Sequence, residues 1–156
     1  MGLQQILMIA LGVVVVGIAI AAGIWMFHYY AYTTNLQAML AEINHFKVDA
    51  YAYWSTPIAL GGAGKNPDEA SLEALASAIG FDPEGMSKVV QLDYIKNSEN
   101  GTYKLVSFID GELVINALGR ATRAGKHPFV NYEYDLVTEE TDINVDSLKE
   151  FPSTHF

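Results

Sequence analysis

The chain has 156 residues, with 18 Asp plus Glu against 9 Lys plus Arg and a formal net charge of −9. It has no basic stripe with which to neutralise phosphates, so no nucleic-acid partner is expected, and the acidic balance argues against docking of the polar part onto anionic lipid. Cysteine is absent, which removes disulfides, thiolate catalysis and cysteine-ligated metals.

The first charged side chain is Glu42. Within the uncharged stretch, Ile6 to Phe27 is an almost unbroken apolar run, ILMIALGVVVVGIAIAAGIWMF. At ~1.5 Å per residue it reaches about 33 Å as a helix, against about 30 Å for a bilayer hydrocarbon core. No Lys or Arg precedes the run and no A-x-A motif follows it, unlike a secretory signal peptide. Ile6 stands where a myristoylation motif needs Ser or Thr. The bulk of the polar chain follows the run, which favours an N-in, C-out orientation.

Helical periodicity continues past Phe27 without a turn signal. Leu36, Met39, Leu40, Ile43, Phe46, Ala50 and Tyr53 recur at spacings of three and four and mark one apolar face. Asn35, Gln37, Glu42, Asn44, Lys47 and Asp49 are expected mostly around the other side. Ser55-Thr56-Pro57 ends the pattern, because a residue before proline is pushed out of the α region. Trp25, Phe27, Tyr29, Tyr30 and Tyr32 cluster where the greasy half gives way to the polar half, as in an interfacial aromatic belt.

Gly61-Gly62-Ala63-Gly64 reads as a flexible loop. A second helix is expected from Asn66-Pro67-Asp68-Glu69, with Asn66 as N-cap, Glu69 closing a capping box, and Leu72, Leu75, Ala76 and Ile79 buried. Gly80 is its stop signal. Strands follow: Tyr103–Ile109 and Glu112–Leu118 flank the hairpin signal Asp110-Gly111, Phe129–Thr138 alternates as a third strand, and Val89–Ile95 reads as a fourth. The acidic segment Glu139–Asp146 reads as a solvated loop or edge.

A long N-terminal helix, a glycine-containing loop and an antiparallel meander, in that order, resemble the type IV pilin family. The resemblance is carried by Ile6–Phe27 running without a break into the amphipathic half that ends at Trp54. It implies an α+β fold in which the helix packs on a small antiparallel sheet. Residues 1–27 would be a membrane anchor and then a filament core. Residues 28–156 would be the head, divided into the amphipathic half-helix 28–55, a loop with a short helix 56–88, and the sheet 89–156.

By this resemblance the polymerisation core is Ile6, Leu7, Ile9, Leu11, Val13, Val14, Val15, Val16, Ile18, Ile20, Ile24, Trp25 and Phe27. Met1, Gln4 and Gln5 would make the polar contacts at the N-terminus. The implied function is a structural subunit of an extracellular helical filament. Its partners would be further copies of itself, the inner membrane before assembly, and a pilus assembly machinery, with no cofactor and no enzymatic role.

The family's precursors carry a short basic leader cleaved after Gly, with methylation of the new terminus. Here only Met1-Gly2 precedes the arm, which is compatible with a chain starting at Met1, with processing after Gly2, or with none. The family's acidic fifth residue is Gln5 counted from Met1 and Leu7 counted from Leu3, and its proline kink is missing. Gly12, Gly17 and Gly23 offer other places to bend. Two alternatives remain open: a minor pilin or secretion pseudopilin, and a single-pass anchored binding domain that never polymerises.

Motifs with chemistry are weak. Gly61–Lys65 lacks the first Gly and the Ser or Thr of a phosphate loop. His28, His45, His127 and His155 show no metal spacing, and Asp142-x-Asn144-x-Asp146 lacks the remainder of a calcium loop. Asn100-Gly101-Thr102 is a glycosylation sequon on an expected turn.

Overall fold

The structure, a computed structural model, describes residues 2–84 and 93–148. It has an α+β fold: a long N-terminal helix packed on an antiparallel sheet. Helix α1 runs unbroken from Leu3 to Ser55, and a short helix α2 covers Leu72–Ile79. Six strands follow: β1 Asp82–Glu84, β2 Asp93–Asn97, β3 Gly101–Ile109, β4 Glu112–Gly119, β5 His127–Asp135 and β6 Thr141–Leu148. Each pairs with the next, so the sheet is a simple meander in chain order.

Two environments divide α1. Every large apolar side chain from Leu3 to Phe27 is exposed, whereas Met39, Ile43, Phe46, Ala50, Tyr53 and Trp54 are buried. These six form a stripe on the sheet's inner face, against Tyr103, Leu105, Leu113, Ile115, Ala117, Val130 and Tyr132. Strand alternation supplies that face, since β4 buries Leu113, Ile115 and Ala117 in strict succession. In β3 the register against β4 slips at Val106, so Phe108 rather than Ser107 turns inward. There Phe108 meets Trp54 edge to face, with ring centroids 6.1 Å apart.

Helix α2 closes one flank with Leu75, Ala76 and Ile79. Phe46 lies edge-on between Phe81 and Tyr103, at centroid distances of 5.2 and 5.1 Å. Lys96 lies 4.7 Å above the Phe46 ring and donates to the Ile79 carbonyl at the end of α2.

Several boundaries differ from expectation. Asn66 caps only a 3-10 turn, Pro67–Glu69, through Asp68 N–H. Helix α2 starts later, at Leu72, because Ser71 accepts from Ala74 N–H and is its true N-cap. Of the two expectations for Glu139–Asp146, loop or edge, the edge holds for residues 141–146, which lie on the edge strand β6, while Glu139 and Glu140 lie in the connection before it. The fourth expected strand falls partly on β2, and Val89–Leu92 lie outside the described residues. The Asp110-Gly111 hairpin forms with both residues at positive φ (54° and 90°), as a two-residue turn with the strands' twist requires.

The glycine loop is a cap for α1. Ala63 N–H donates to the Tyr53 carbonyl, Gly64 N–H to Thr56 and Lys65 N–H to Trp54. Carbonyls orphaned by the helix end are thereby satisfied. These three amides are spent on the cap, leaving no cradle of free N–H groups for a phosphate.

Candidate assembly and anchoring surface

The expected core residues Ile6 through Phe27 are exposed all round the helix, and of these Trp25 meets the head, at Arg123. Among the described residues, nothing within one chain gathers the others together. The arm is long and apolar enough to cross a membrane, and none of its most apolar window is buried. Leaving so many Leu, Ile and Val side chains in water would cost on the order of tens of kcal/mol, several times the net stability of a domain. Gln4 and Gln5 occupy the first turn, where Gln5 N–H donates to the Gly2 carbonyl. Met1 lies outside the described residues.

Small residues on the arm are not demanded by the monomer. A Cβ added at Gly12, Gly17 or Gly23 would meet nothing within 4 Å. At about 100° per residue, Gly12, Ala19 and Gly23 fall on one narrow face, a stripe along which a second helix backbone could approach closely.

The arm joins the head through an aromatic and polar collar. Trp25 and Tyr29 stack with centroids 6.1 Å apart, and the Arg123 guanidinium lies 5.8 and 5.1 Å from their ring centroids. Arg123 comes from the β4–β5 connection, whose tip is a two-residue turn. Arg123 and Lys126 exchange backbone hydrogen bonds across Ala124-Gly125, both at positive φ. Asn35 fixes this connection to α1: its Nδ2 donates to the Asn100 carbonyl at 2.7 Å and its Oδ1 accepts from Ala121 N–H at 3.1 Å. Arg120 N–H donates to the same Asn100 carbonyl.

Two turns further along α1, Glu42 Oε2 accepts three hydrogen bonds, from Ser98 Oγ (2.9 Å), Asn100 Nδ2 (3.1 Å) and Tyr103 OH (2.8 Å). Burial first, then the hydrogen bond and negative charge of Glu42, push the Tyr103 hydroxyl well above its ordinary value. Asn35 and Glu42 were expected on the polar side. Instead they lie within about 70° of the centre of the buried stripe, at 100° per residue, and tie the helix to the sheet. Their helical angle carries that signal, while their polar character suggests the other side. The glycosylation sequon is drawn in as well, since Asn100 Nδ2, the atom a glycan would occupy, donates to Glu42.

The remaining candidate groups are scattered. His45 pairs with Asp49 on the exposed helix face, His127 Nδ1 lies 2.7 Å from the Gly119 carbonyl, and His28 borders the Arg123 turn. His155 lies outside the described residues. Asp142, Asn144 and Asp146 lie on a strand, in extended backbone that cannot wrap round a cation as a loop does. Among the described residues no three His, Asp or Glu side chains are grouped to hold a metal. An open groove at the far end of the head gathers Glu112, Glu133, Asp135, Glu140 and Asp142. No protein-family profile, no curated protein and no solved structure matches this chain.

Proposed function

We propose that this chain is a structural subunit of a type IV pilus-like filament, anchored by its arm in the inner membrane before assembly and polymerised through that arm in the fibre at the cell surface. One observation carries the reading: a single helix, without a joint, is exposed and apolar from Ile6 to Phe27 and then forms the spine of a folded head. Lipid satisfies such an arm in one state. A bundle of sibling arms satisfies it in another, with no passage through water between them. A head-to-tail contact that does not close then yields an open helix. The Gly12, Ala19 and Gly23 face supports close helix approach, since the isolated chain gives no packing reason for those residues.

The test is Val15→Glu in the full chain, scored by negative-stain microscopy of sheared surface material. A carboxylate at mid-arm costs about 3 kcal/mol per subunit in an apolar surround. That cost repeats at every subunit, so fibres are expected to vanish while the head keeps its near-UV circular dichroism, because Val15 touches nothing in the head. Fibres of normal length from the variant would overturn the reading. A wild-type chain that stays a discrete, detergent-embedded particle under assembly conditions would instead favour a single-pass anchored domain.

A further inference from the structure

We propose that the Arg120–Lys126 connection binds the phosphate headgroups of anionic phospholipid at the membrane surface while the arm is inserted. The inference rests on the anchoring half of the reading above.

The placement follows from the helix itself. With Ile6–Phe27 filling the hydrocarbon, at ~1.5 Å per residue the membrane boundary falls within a turn of Trp25 and Tyr29. Arg123 touches both rings, its guanidinium 5.8 and 5.1 Å from their centroids, so it sits at phosphate depth. The connection cannot drift from that level, because Asn35 on α1 holds both Asn100 and Ala121.

The charge is concentrated there. Arg120, Arg123 and Lys126 are three exposed cations within seven residues, in a chain that has only 9 Lys plus Arg in all. Arg123 and Lys126 are direct partners across the turn, an arrangement of like charges that is unfavourable without an anion between them. Among the described residues, no carboxylate is within ion-pair distance of any of the three. Asp146 on β6 and Arg123 both act electrostatically on Tyr32, in opposite directions. The overall charge of −9 had argued against anionic lipid. The fold overrides it by separating the signs: the cations lie beside the arm, and the Glu112–Asp142 groove lies at the opposite end of the head. Lipid phosphate fits better than free phosphate because the tryptophan and tyrosine beneath the guanidinium suit an interface and offer no closed anion pocket.

The full chain in mild detergent, mixed with equimolar phosphatidylglycerol and phosphatidylcholine, is to be examined by native mass spectrometry for retained lipid. Phosphatidylglycerol should be retained preferentially. The preference should fall about five-fold for each cation removed, disappear in the triple variant Arg120→Gln/Arg123→Gln/Lys126→Gln, and be lost at high salt. Arg120→Lys/Arg123→Lys keeps the charge and should keep the preference. Equal retention of the two lipids by the wild type, or an unchanged preference in the triple variant, would overturn the proposal. So would displacement of the lipid by inorganic phosphate, which would mark a free-anion site. Carbonate-resistant membrane insertion, measured in parallel, separates the two readings. Failure to insert removes both the anchor and the headgroup contact, whereas insertion without lipid preference removes only the latter.

Discussion

Glu42→Ala should destabilise the head far more than its partial exposure suggests. One carboxylate oxygen of Glu42 takes hydrogens from Ser98, Asn100 and Tyr103. Ser98 and Asn100 are half-buried and can turn to water, recovering most of what they lose. Tyr103 is fully buried and cannot. An unsatisfied buried hydroxyl costs about 1–3 kcal/mol, and a hydrogen bond to a charged group is worth about 1.5–3 kcal/mol. The expected loss is therefore about 2–4 kcal/mol for alanine and only ~1 kcal/mol for Glu42→Gln, which keeps an acceptor oxygen. Urea unfolding of the full chain in detergent micelles, followed by the near-ultraviolet signal of buried Trp54, measures both.

The same contact has a signature in alkali. The raised value of Tyr103 means that its contribution is full below pH about 10, where the unfolded chain's hydroxyl begins to ionise. Stability then declines as pH rises further, by about 1.4 kcal/mol per pH unit for this one group. Burial raises Tyr132 and Tyr134 in the same direction. Glu42→Gln should lower the pH at which the most resistant tyrosine ionises, read from tyrosinate absorbance. An alanine variant within ~0.5 kcal/mol of wild type, or a glutamine variant as damaged as the alanine one, would refute this account of the helix-to-sheet junction.

Gly119→Ala should cost about 1–3 kcal/mol by overpacking, because a Cβ there meets Asn35 Oδ1, Pro128 Cγ and Met39 Sδ at once. Faster amide hydrogen exchange at Ala121, whose partner Asn35 is displaced, is the specific readout. Asp135 accepts from Val137 and Thr138 N–H, which hold its carboxyl below the usual range. Its contribution is present above pH about 3.8 and is lost as pH falls through the lower folded value. Asp135→Asn should accelerate exchange at Val137 and Thr138 at neutral pH, with little change at the acid end.

Patterns confined to one element were legible in the sequence. The buried stripe Met39–Ile43–Phe46–Ala50–Tyr53 follows from its period, the end of α1 from Thr56-Pro57, and the β3–β4 hairpin from Asp110-Gly111. Features that need two distant segments were not legible. Nothing near Asn35 announces Asn100 and Ala121 as its partners, and nothing near Glu42 announces Tyr103. The slip at Val106 is invisible for the same reason: it is defined only against β4. Arg120, Arg123 and Lys126 were visible as residues, but whole-chain charge hid their importance, because charge acts over about 10 Å rather than over the chain average.

These non-local contacts matter most where the exposed apolar arm joins the head. An apolar arm joined to its head by a flexible linker would rotate freely, and neither the glycine-bearing face nor the cationic turn would have a defined direction. Here α1 has no break between Phe27 and the first buried residue, Met39. Asn35 and Glu42 fix its rotation against β3 and the β4–β5 connection. Under the proposed filament reading, the face of the arm that would meet a sibling helix is thereby locked to the face that the head would present outward. Rotating one by a single residue, about 100°, would break every hydrogen bond in the collar. In the proposed filament, a continuous helix fixed in this way would transmit the helical geometry of a packed core to a coat of heads, a rigidity that a loosely tethered anchor would not need.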